Sequence, residues 1–233
     1  MARENLDEGE LGKFEDMAHR WWDPEGELKP LHEINPLRLD YIQRHARLRD
    51  RRVVDVGCGG GLLTEAMAAR GAQVTGIDQA EQTLSVAHMH QLESGLEIDY
   101  RLSSAEALAE SMPGAFDVVT CMELLEHVPD PASVVDACSR LLRPGGTAFF
   151  STINRNPKAF LLAIVGAEYV LGLLPRGTHR YDRLIRPSEL DRWARAAGLT
   201  IQDLAGIQYN PLNRRYRLAD DIDVNYMAYA TAD

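Results

Sequence analysis

A glycine cluster followed by a distant carboxylate is the first pattern of chemical interest in this sequence. Gly57, Gly59 and Gly61 follow a β-branched run that contains Asp55, and the next apolar run ends at Asp78. Glycines let a backbone approach a ligand without Cβ clashes. A carboxylate at the end of the second strand can accept hydrogen bonds from both hydroxyls of a ribose. The pattern therefore predicts a site for a nucleoside-containing cofactor.

The glycine spacing separates two classes of cofactor. A dinucleotide fingerprint requires G-x-G-x-x-G, but the sixth position of this motif is Leu62. The motif is G-x-G-x-G, which argues against an NAD-dependent oxidoreductase. A glycine-rich turn that binds no ligand is the remaining alternative, and the position of Asp78 argues against it.

A second group of polar residues follows the fourth predicted strand. If this stretch is helical, Glu123, Glu126 and His127 share one face, because residues three and four apart are helical neighbours. Such a set could bind a divalent metal ion, with oxygen ligands favouring Mg²⁺ over zinc. His127 or Glu126 could instead act as a general base. A solvated polar face without chemistry is the third interpretation.

The elements that position these residues alternate between strands and helices. The predicted strands cover residues 53–56, 73–77, 97–102, 116–121, 147–152, 199–208 and 222–230. The predicted helices cover residues 8–22, 36–48, 61–70, 80–94, 131–142 and 187–197, with Pro30 among the residues that break the chain before the second helix. Alternation predicts an α/β fold with a mostly parallel sheet and helices on both faces. The last two strands lack an intervening helix, which predicts an antiparallel hairpin.

Composition limits the classes of function. The chain has 233 residues, of which 45% are hydrophobic, so we expect a single domain over residues 1–233 with an N-terminal helical extension, 1–50. A net charge of −10 argues against a general nucleic-acid partner. Three cysteines without metal-type spacing and the lack of a visible secretory signal predict a cytoplasmic protein.

An apolar insert with basic flanks lies at about residues 153–187. Residues 159–174 carry Glu168 as their only charge, and the run is too short to span a bilayer. Six Lys or Arg and two acidic residues give the insert a local charge of 6 − 2 = +4. Residues 155–186 could therefore contact an anionic membrane surface, which would make the protein peripheral on the inner membrane. A lid or core helix is the alternative, and one helix could serve both roles.

Several sequence strings carry a resemblance to a known family. The segment Asp55-Val56-Gly57-Cys58-Gly59-Gly60-Gly61 resembles motif I of class I S-adenosylmethionine (SAM) methyltransferases. Further strings resemble the bacterial ubiquinone biosynthesis O-methyltransferases and follow one another along most of the chain: RWWD (20–23), NPLR (35–38), CMELLEHVP (121–129), VGAEY (165–169), GTH (177–179), YNP (209–211) and DVNYM (223–227).

The resemblance implies a fold and a reaction. The fold would be the Rossmann-like class I methyltransferase fold with a seven-stranded sheet. The family methylates phenolic hydroxyls of polyprenyl-hydroxyphenol and demethylubiquinol, with a ubiquinone-biosynthesis complex as a possible partner. A noncatalytic SAM-binding or lipid-binding scaffold and a methyltransferase of another phenol are the alternatives.

The resemblance also implies site residues. Arg38, Gly57, Asp78 and Met122 would contact SAM, together with Asp55, Gly59 and Gly61 of the glycine motif. The matching acidic and histidine residues of mitochondrial relatives bind Mg²⁺, which carries over to Glu123, Glu126 and His127. Trp21, Trp22 and Tyr226 are aromatic candidates for the quinol pocket.

Overall fold

A single eight-stranded sheet forms the centre of the part of the chain that the structure, a computed structural model, describes: residues 5–161 and 180–232. The strand order is β3-β2-β1-β4-β5-β8-β6-β7. The strands are β1 (Arg52–Val56), β2 (Gln73–Asp78), β3 (Ile98–Leu102), β4 (Phe116–Met122), β5 (Leu142–Ile153), β6 (Leu199–Asn210), β7 (Arg215–Ala219) and β8 (Asn225–Ala232). Strands β1 to β5 pair in parallel, and β6 to β8 are antiparallel.

The sheet has eight strands instead of the seven expected, and the additional strand lies at its antiparallel end. Strand β8 pairs with both β5 and β6, so the two predicted tail strands are neighbours as expected. The additional strand, β7, pairs with β6 at the edge of the sheet. Its segment, RYRLA, is five residues long and alternates two arginines with Tyr216 and Leu218, a strand signal that the sequence predictions missed.

Helices cover both faces of the sheet. They are α1 (Glu8–Met17), α2 (Lys29–His45), α3 (Leu62–Ala68), α4 (Glu81–Ser94), α5 (Ala105–Ser111), α6 (Pro131–Leu141), the single turn α7 (Pro157–Ala159) and α8 (Pro187–Ala196). Adjacent strand residues contribute to opposite cores, because side chains alternate across a strand. Phe149 packs with α2, α3 and α4, whereas Phe150 packs with α5, α6 and α8.

Two helices differ from the sequence predictions. Helix α2 begins at Lys29 instead of residue 36, so the prediction that Pro30 breaks the chain was wrong. Proline is tolerated in the first turn of a helix, where its missing N–H would have no intrahelical partner. Helix α5 was not predicted, although Ser104 caps it by accepting a hydrogen bond from the amide of Ala107 (3.2 Å).

The structure describes the two ends of the apolar insert and not its middle. The predictions for residues 162–179, which include most of the apolar run, lie outside the described residues. Within residues 5–161 and 180–232, no helix is long and apolar enough to cross a bilayer.

Candidate functional site

A cavity of about 710 Å³ opens at the carboxyl ends of the parallel strands. Its walls include Val56 of β1, Asp78 of β2, Met122 of β4 and Ser151 of β5. This edge is where ligands bind in open α/β sheets, and the volume lies in the range of small-molecule and cofactor sites.

The glycine turn and Asp78 form the first wall of the cavity. Asp78 Oδ2 accepts a hydrogen bond from the amide of Gly59 (2.9 Å), and Oδ1 accepts one from the amide of Ala80 (2.9 Å). Burial raises the pKa of the Asp78 carboxyl, and these two amides oppose the rise. Each carboxylate oxygen has more than one acceptor position, so Asp78 can still receive hydroxyl hydrogen bonds from a ligand.

Asp55 lies at the edge of the cavity, where it holds the framework together. Its two carboxylate oxygens accept hydrogen bonds from Thr64 Oγ1 of α3 (2.6 Å) and Thr120 Oγ1 of β4 (2.7 Å). Burial raises the pKa of Asp55 to about 6, although both hydroxyls and the nearby Arg38 oppose the rise. The side chain thus links three elements that surround the glycine turn.

Arg38 brings a buried positive charge to the cavity. Its side chain extends from α2, and Nη2 lies 3.3 Å from Glu123 Oε1. Neither Nε nor Nη2 has a hydrogen-bond acceptor among the described residues. Buried guanidinium donors without an acceptor of hydrogen-bonding geometry call for one, and a carboxylate suits their planar geometry. The methionine portion of SAM carries such a carboxylate, so the site fits the predicted cofactor.

The structure brings most of the predicted site residues to one cavity. Eight of them line it: Arg38, Asp55, Gly57, Gly59, Asp78, Met122, Glu123 and His127. Gly61 and Glu126 lie outside the lining. Gly61 has a φ of +91°, and a Cβ there would lie 2.3 Å from the Tyr100 hydroxyl, so its role is to allow close packing.

The segment after β4 is a turn, so the condition under which Glu123, Glu126 and His127 would share a helix face is not met. Glu123 has a φ of +55°, in the left-handed region that non-glycine residues rarely adopt. Its amide bonds to the carbonyl of Ser151 (3.0 Å), and Ser151 Oγ donates to Glu123 Oε1 (2.7 Å). These contacts with β5 fix Glu123 and prevent the helical arrangement of Glu123, Glu126 and His127.

His127 contacts the cavity and pairs with a carboxylate from the N-terminal extension. Its Nδ1 lies 2.8 Å from Glu10 Oε2 of α1. Burial works to lower the pKa of His127, but the hydrogen bond to Glu10 and the charges of Glu126 and Glu123 raise it overall. The same hydrogen bond is the main cause that lowers the pKa of Glu10 to about 2.

Glu126 is buried behind the cavity. Burial, followed by the charge of Glu123, raises its pKa to about 7. Neither of its carboxylate oxygens has a hydrogen-bond partner of ordinary geometry among the described residues. Across the described ranges, no group of three or more His, Cys, Asp or Glu side chains is arranged to hold a metal ion. The observed arrangement therefore does not fit a preformed three-ligand metal site.

Aromatic residues of the N-terminal extension cover the glycine turn. A Cβ on Gly59 would lie 2.3 Å from Trp21 Cζ2, and a Cβ on Gly60 would lie 2.4 Å from Trp21 Cδ1. Phe14 lies between Trp21 (centroids 6.4 Å apart) and His127 (5.1 Å). This series of rings joins the predicted cofactor end of the cavity to His127.

The other two aromatic candidates have different environments. Trp22 lies outside the cavity lining, where it stacks on His90 (centroids 3.3 Å apart) and donates from Nε1 to the carbonyl of Gly60 (2.9 Å). Tyr226 lines the cavity and is almost fully buried, and its hydroxyl donates to the carbonyl of Ile185 (3.2 Å).

Sequence reasoning did not identify several residues of the site. Glu10 and Phe14 were assigned no role, because their approach to His127 depends on how α1 folds over the sheet. Ser103, Ser104 and Ala105 line the cavity. The resemblance pointed to this stretch as a place where class I enzymes hold the adenine amino group, but its first two positions are serines where an acidic residue is common, so no role was assigned to it.

A parallel sheet with an antiparallel end, a glycine turn after β1 and a carboxylate at the end of β2 together define a class I methyltransferase. A family model described as a methyltransferase domain matches residues 31–204. The magnesium protoporphyrin IX methyltransferase of Synechocystis, solved with bound SAM, has a TM-score of 0.66 at 16% identity and covers 100% of both chains. A SAM-dependent methyltransferase of Thermotoga maritima also has a TM-score of 0.66 at 16% identity, with coverage of 97% and 99%.

The sequence relatives narrow the assignment. The ubiquinone biosynthesis O-methyltransferase of Azotobacter vinelandii is 66% identical over 223 residues, which are 96% of each chain. That of Pseudomonas aeruginosa is 63% identical over the same length and coverage. The chain belongs to the family of ubiquinone biosynthesis O-methyltransferases.

Proposed function

We propose that this chain transfers a methyl group from SAM to phenolic hydroxyls of polyprenyl-hydroxyphenol and demethylubiquinol intermediates in ubiquinone biosynthesis. The name shared by relatives that are 62–66% identical supports the pathway. The observation that carries the proposal is the presence in one cavity of the Asp78 carboxylate and of Arg38, whose Nε and Nη2 have no acceptor of hydrogen-bonding geometry among the described residues.

The cofactor-binding roles follow from the positions of these side chains. Arg38 would bind the methionine carboxylate with Nε and Nη2, and Asp78 would accept hydrogen bonds from the ribose hydroxyls. Met122, which is buried at the end of β4, would pack on the adenine. Gly57 and Gly59 line the cavity with positive φ and would present their backbone to the cofactor, and Asp55 would hold the surrounding turn. Bound SAM supplies an activated methyl group on a sulfonium ion.

The methyl acceptor must lose its phenolic proton. A free phenol has a pKa near 10, so it keeps this proton at neutral pH unless a base takes it. We propose His127 as the group that takes it, since His127 lines the cavity. Glu10 holds Nδ1 of His127, so Nε2 is the atom that would receive the proton. Glu126 lies outside the cavity lining, so it would act on the reaction indirectly, because its charge raises the pKa of His127.

Mg²⁺ binding stays a prediction, and it would require these side chains to change partners. Glu123 would have to leave Arg38 and Ser151, and His127 would have to leave Glu10, before three side chains could meet around one ion. The feature that favours a cation here is the buried carboxylate of Glu126, whose oxygens have no hydrogen-bond partner of ordinary geometry among the described residues. No step of the proposed chemistry is assigned to the metal.

We also propose a peripheral contact between residues 155–186 and an anionic inner-membrane surface. In support, the apolar side chains next to the undescribed part of the insert are exposed: Phe160 (44%), Leu161 (59%) and Tyr181 (39%). The basic side chains give weaker support, because Lys158 pairs with Asp221 and Asp223 and Arg183 pairs with Asp7. Apolar insertion would therefore contribute more than charge. An association with other enzymes of the pathway is part of the same proposal.

The decisive experiment is product analysis. Purified protein is incubated with SAM and a short-chain demethylubiquinol analogue, and the product is identified by mass and by position of methylation. The proposal predicts an O-methylated quinol and S-adenosylhomocysteine (SAH) in equal amounts. Tight SAH binding without any methylated product would indicate a noncatalytic scaffold. Methylation of simple catechols alone would indicate another phenolic substrate.

A further inference from the structure

Trp21 has a buried polar atom that the fold itself does not use. Its side chain lines the cavity, and 6% of the residue is exposed. The indole Nε1 has no hydrogen-bond acceptor among the described residues. Buried N–H groups are normally paired, because an unpaired one loses its hydrogen bond to water without replacement. An acceptor that arrives with a ligand would remove this deficit.

The position of Trp21 is fixed by the surrounding structure. Its carbonyl oxygen lies 2.9 Å from Nε2 of His32 in α2, and its indole lies directly on Gly59 and Gly60. The neighbouring Trp22 bonds to the carbonyl of Gly60. The indole is therefore held against the turn whose amide, at Gly59, bonds to Asp78.

We propose that Trp21 is a cofactor-binding residue whose indole N–H donates a hydrogen bond to an oxygen of the bound cofactor. This inference rests on the proposed function, and it places Trp21 at the cofactor end of the cavity instead of in the quinol pocket. The candidate acceptors are the ribose hydroxyls and the methionine carboxylate, because Asp78 and Arg38 hold these groups. The indole ring would also exclude water from the glycine turn.

The first test measures SAH affinity by calorimetry in a conservative variant. Trp21→Phe keeps an aromatic ring over the glycines and removes the N–H. We expect SAH to bind about three- to tenfold more weakly if the acceptor is a neutral ribose hydroxyl, and more than about tenfold more weakly if it is the charged carboxylate. Trp193→Phe is the matched control, because Trp193 lies on α8 and packs against the opposite core. Its affinity for SAH should equal that of the unchanged protein.

The cofactor fragment methylthioadenosine, which lacks the amino-acid portion, identifies the acceptor. If Trp21→Phe loses affinity for SAH alone, the acceptor is the methionine carboxylate. If it loses affinity equally for both ligands, the acceptor is a ribose hydroxyl. Equal affinities of Trp21→Phe and the unchanged protein for SAH would overturn the inference. Failure of the unchanged protein to bind SAH would instead overturn the proposed function.

A second measurement does not depend on the folding of any variant. The chain has three tryptophans, so a ¹⁵N-labelled sample gives three indole N–H signals. Saturation with SAH should move the Trp21 signal downfield, as expected for an N–H that gains an acceptor, and leave the Trp193 signal in place. A Trp21 signal that does not move in the saturated protein would overturn the inference.

Discussion

Replacing Asp55 with Asn should change how stability depends on pH. The unfolding free energy of the variant should rise relative to that of the unchanged protein as the pH increases. Asp55 is 3% exposed and carries its charge between Thr64 and Thr120. Asparagine has nearly the same shape, and its amide can donate to one threonine hydroxyl while it accepts from the other. The substitution therefore removes a buried charge and keeps the hydrogen bonds.

The magnitude follows from the pKa of Asp55. The pKa rises from 3.8 to about 6 on folding, and each unit corresponds to about 1.36 kcal/mol, so ionisation costs about 3 kcal/mol of stability. The folded state holds the proton more tightly, so this stability is present below pH 3.8 and is lost as the pH rises through 6. About 1 kcal/mol of the loss falls between pH 5 and pH 8.

Urea unfolding tests this reasoning. It is measured for the unchanged protein and for Asp55→Asn at half-unit steps from pH 5 to pH 8. The difference in unfolding free energy should move in favour of Asp55→Asn by about 1 kcal/mol over that range. Asp191→Asn is the control, because Asp191 is a partly exposed partner of Arg195 on α8. A difference for Asp55→Asn that is constant from pH 5 to pH 8 would refute the proposed cost of burying this charge.

Four further outcomes are expected. Asp78→Ala should weaken SAH binding by calorimetry, because a hydrogen bond to a charged acceptor contributes about 1.5–3 kcal/mol, and unchanged affinity in a folded variant would contradict the ribose role. Glu10→Gln removes the carboxylate that raises the pKa of His127, so the acid limb of the kcat/KM profile should move to lower pH, while Glu8→Gln should leave it in place. If Mg²⁺ participates, EDTA should reduce turnover and added Mg²⁺ should restore it, with Glu126→Gln requiring more Mg²⁺; full activity after exhaustive chelation would exclude the metal role. Changing Phe160 and Leu161 to Asp should weaken sedimentation with anionic vesicles while SAH binding persists, and Leu212→Asp, at an exposed turn, should have no effect.

The parallel half of the fold was predictable because its signals are local. Strands β1, β2 and β4 are short β-branched runs next to glycines or acidic residues, and each was predicted to within one residue at either end. Helix α2 was placed seven residues too late, because a proline in the first turn resembles a helix breaker when sequence alone is considered.

The site was predictable where it depends on strand ends, and not where it depends on long-range contacts. Asp78 and Met122 end their strands, so their meeting at one edge of the sheet follows from topology. The left-handed conformation of Glu123 depends on Ser151, which lies 28 residues away. The pairing of His127 with Glu10 spans 117 residues, and no local pattern reports it.

The contacts of α1 also have a consequence for the order in which the molecule assembles. Asp7, the N-terminal cap of α1, pairs with Arg183 across 176 residues. Contacts between residues so far apart in sequence form only after the elements between them have assembled, so α1 should dock late in folding, after the sheet has formed. Glu10 is the one buried residue of α1, so α1 should be among the first elements to detach in the native state, at a free energy well below that of global unfolding. A cavity covered by such an element can admit a large amphiphilic molecule through local unfolding while the sheet stays intact.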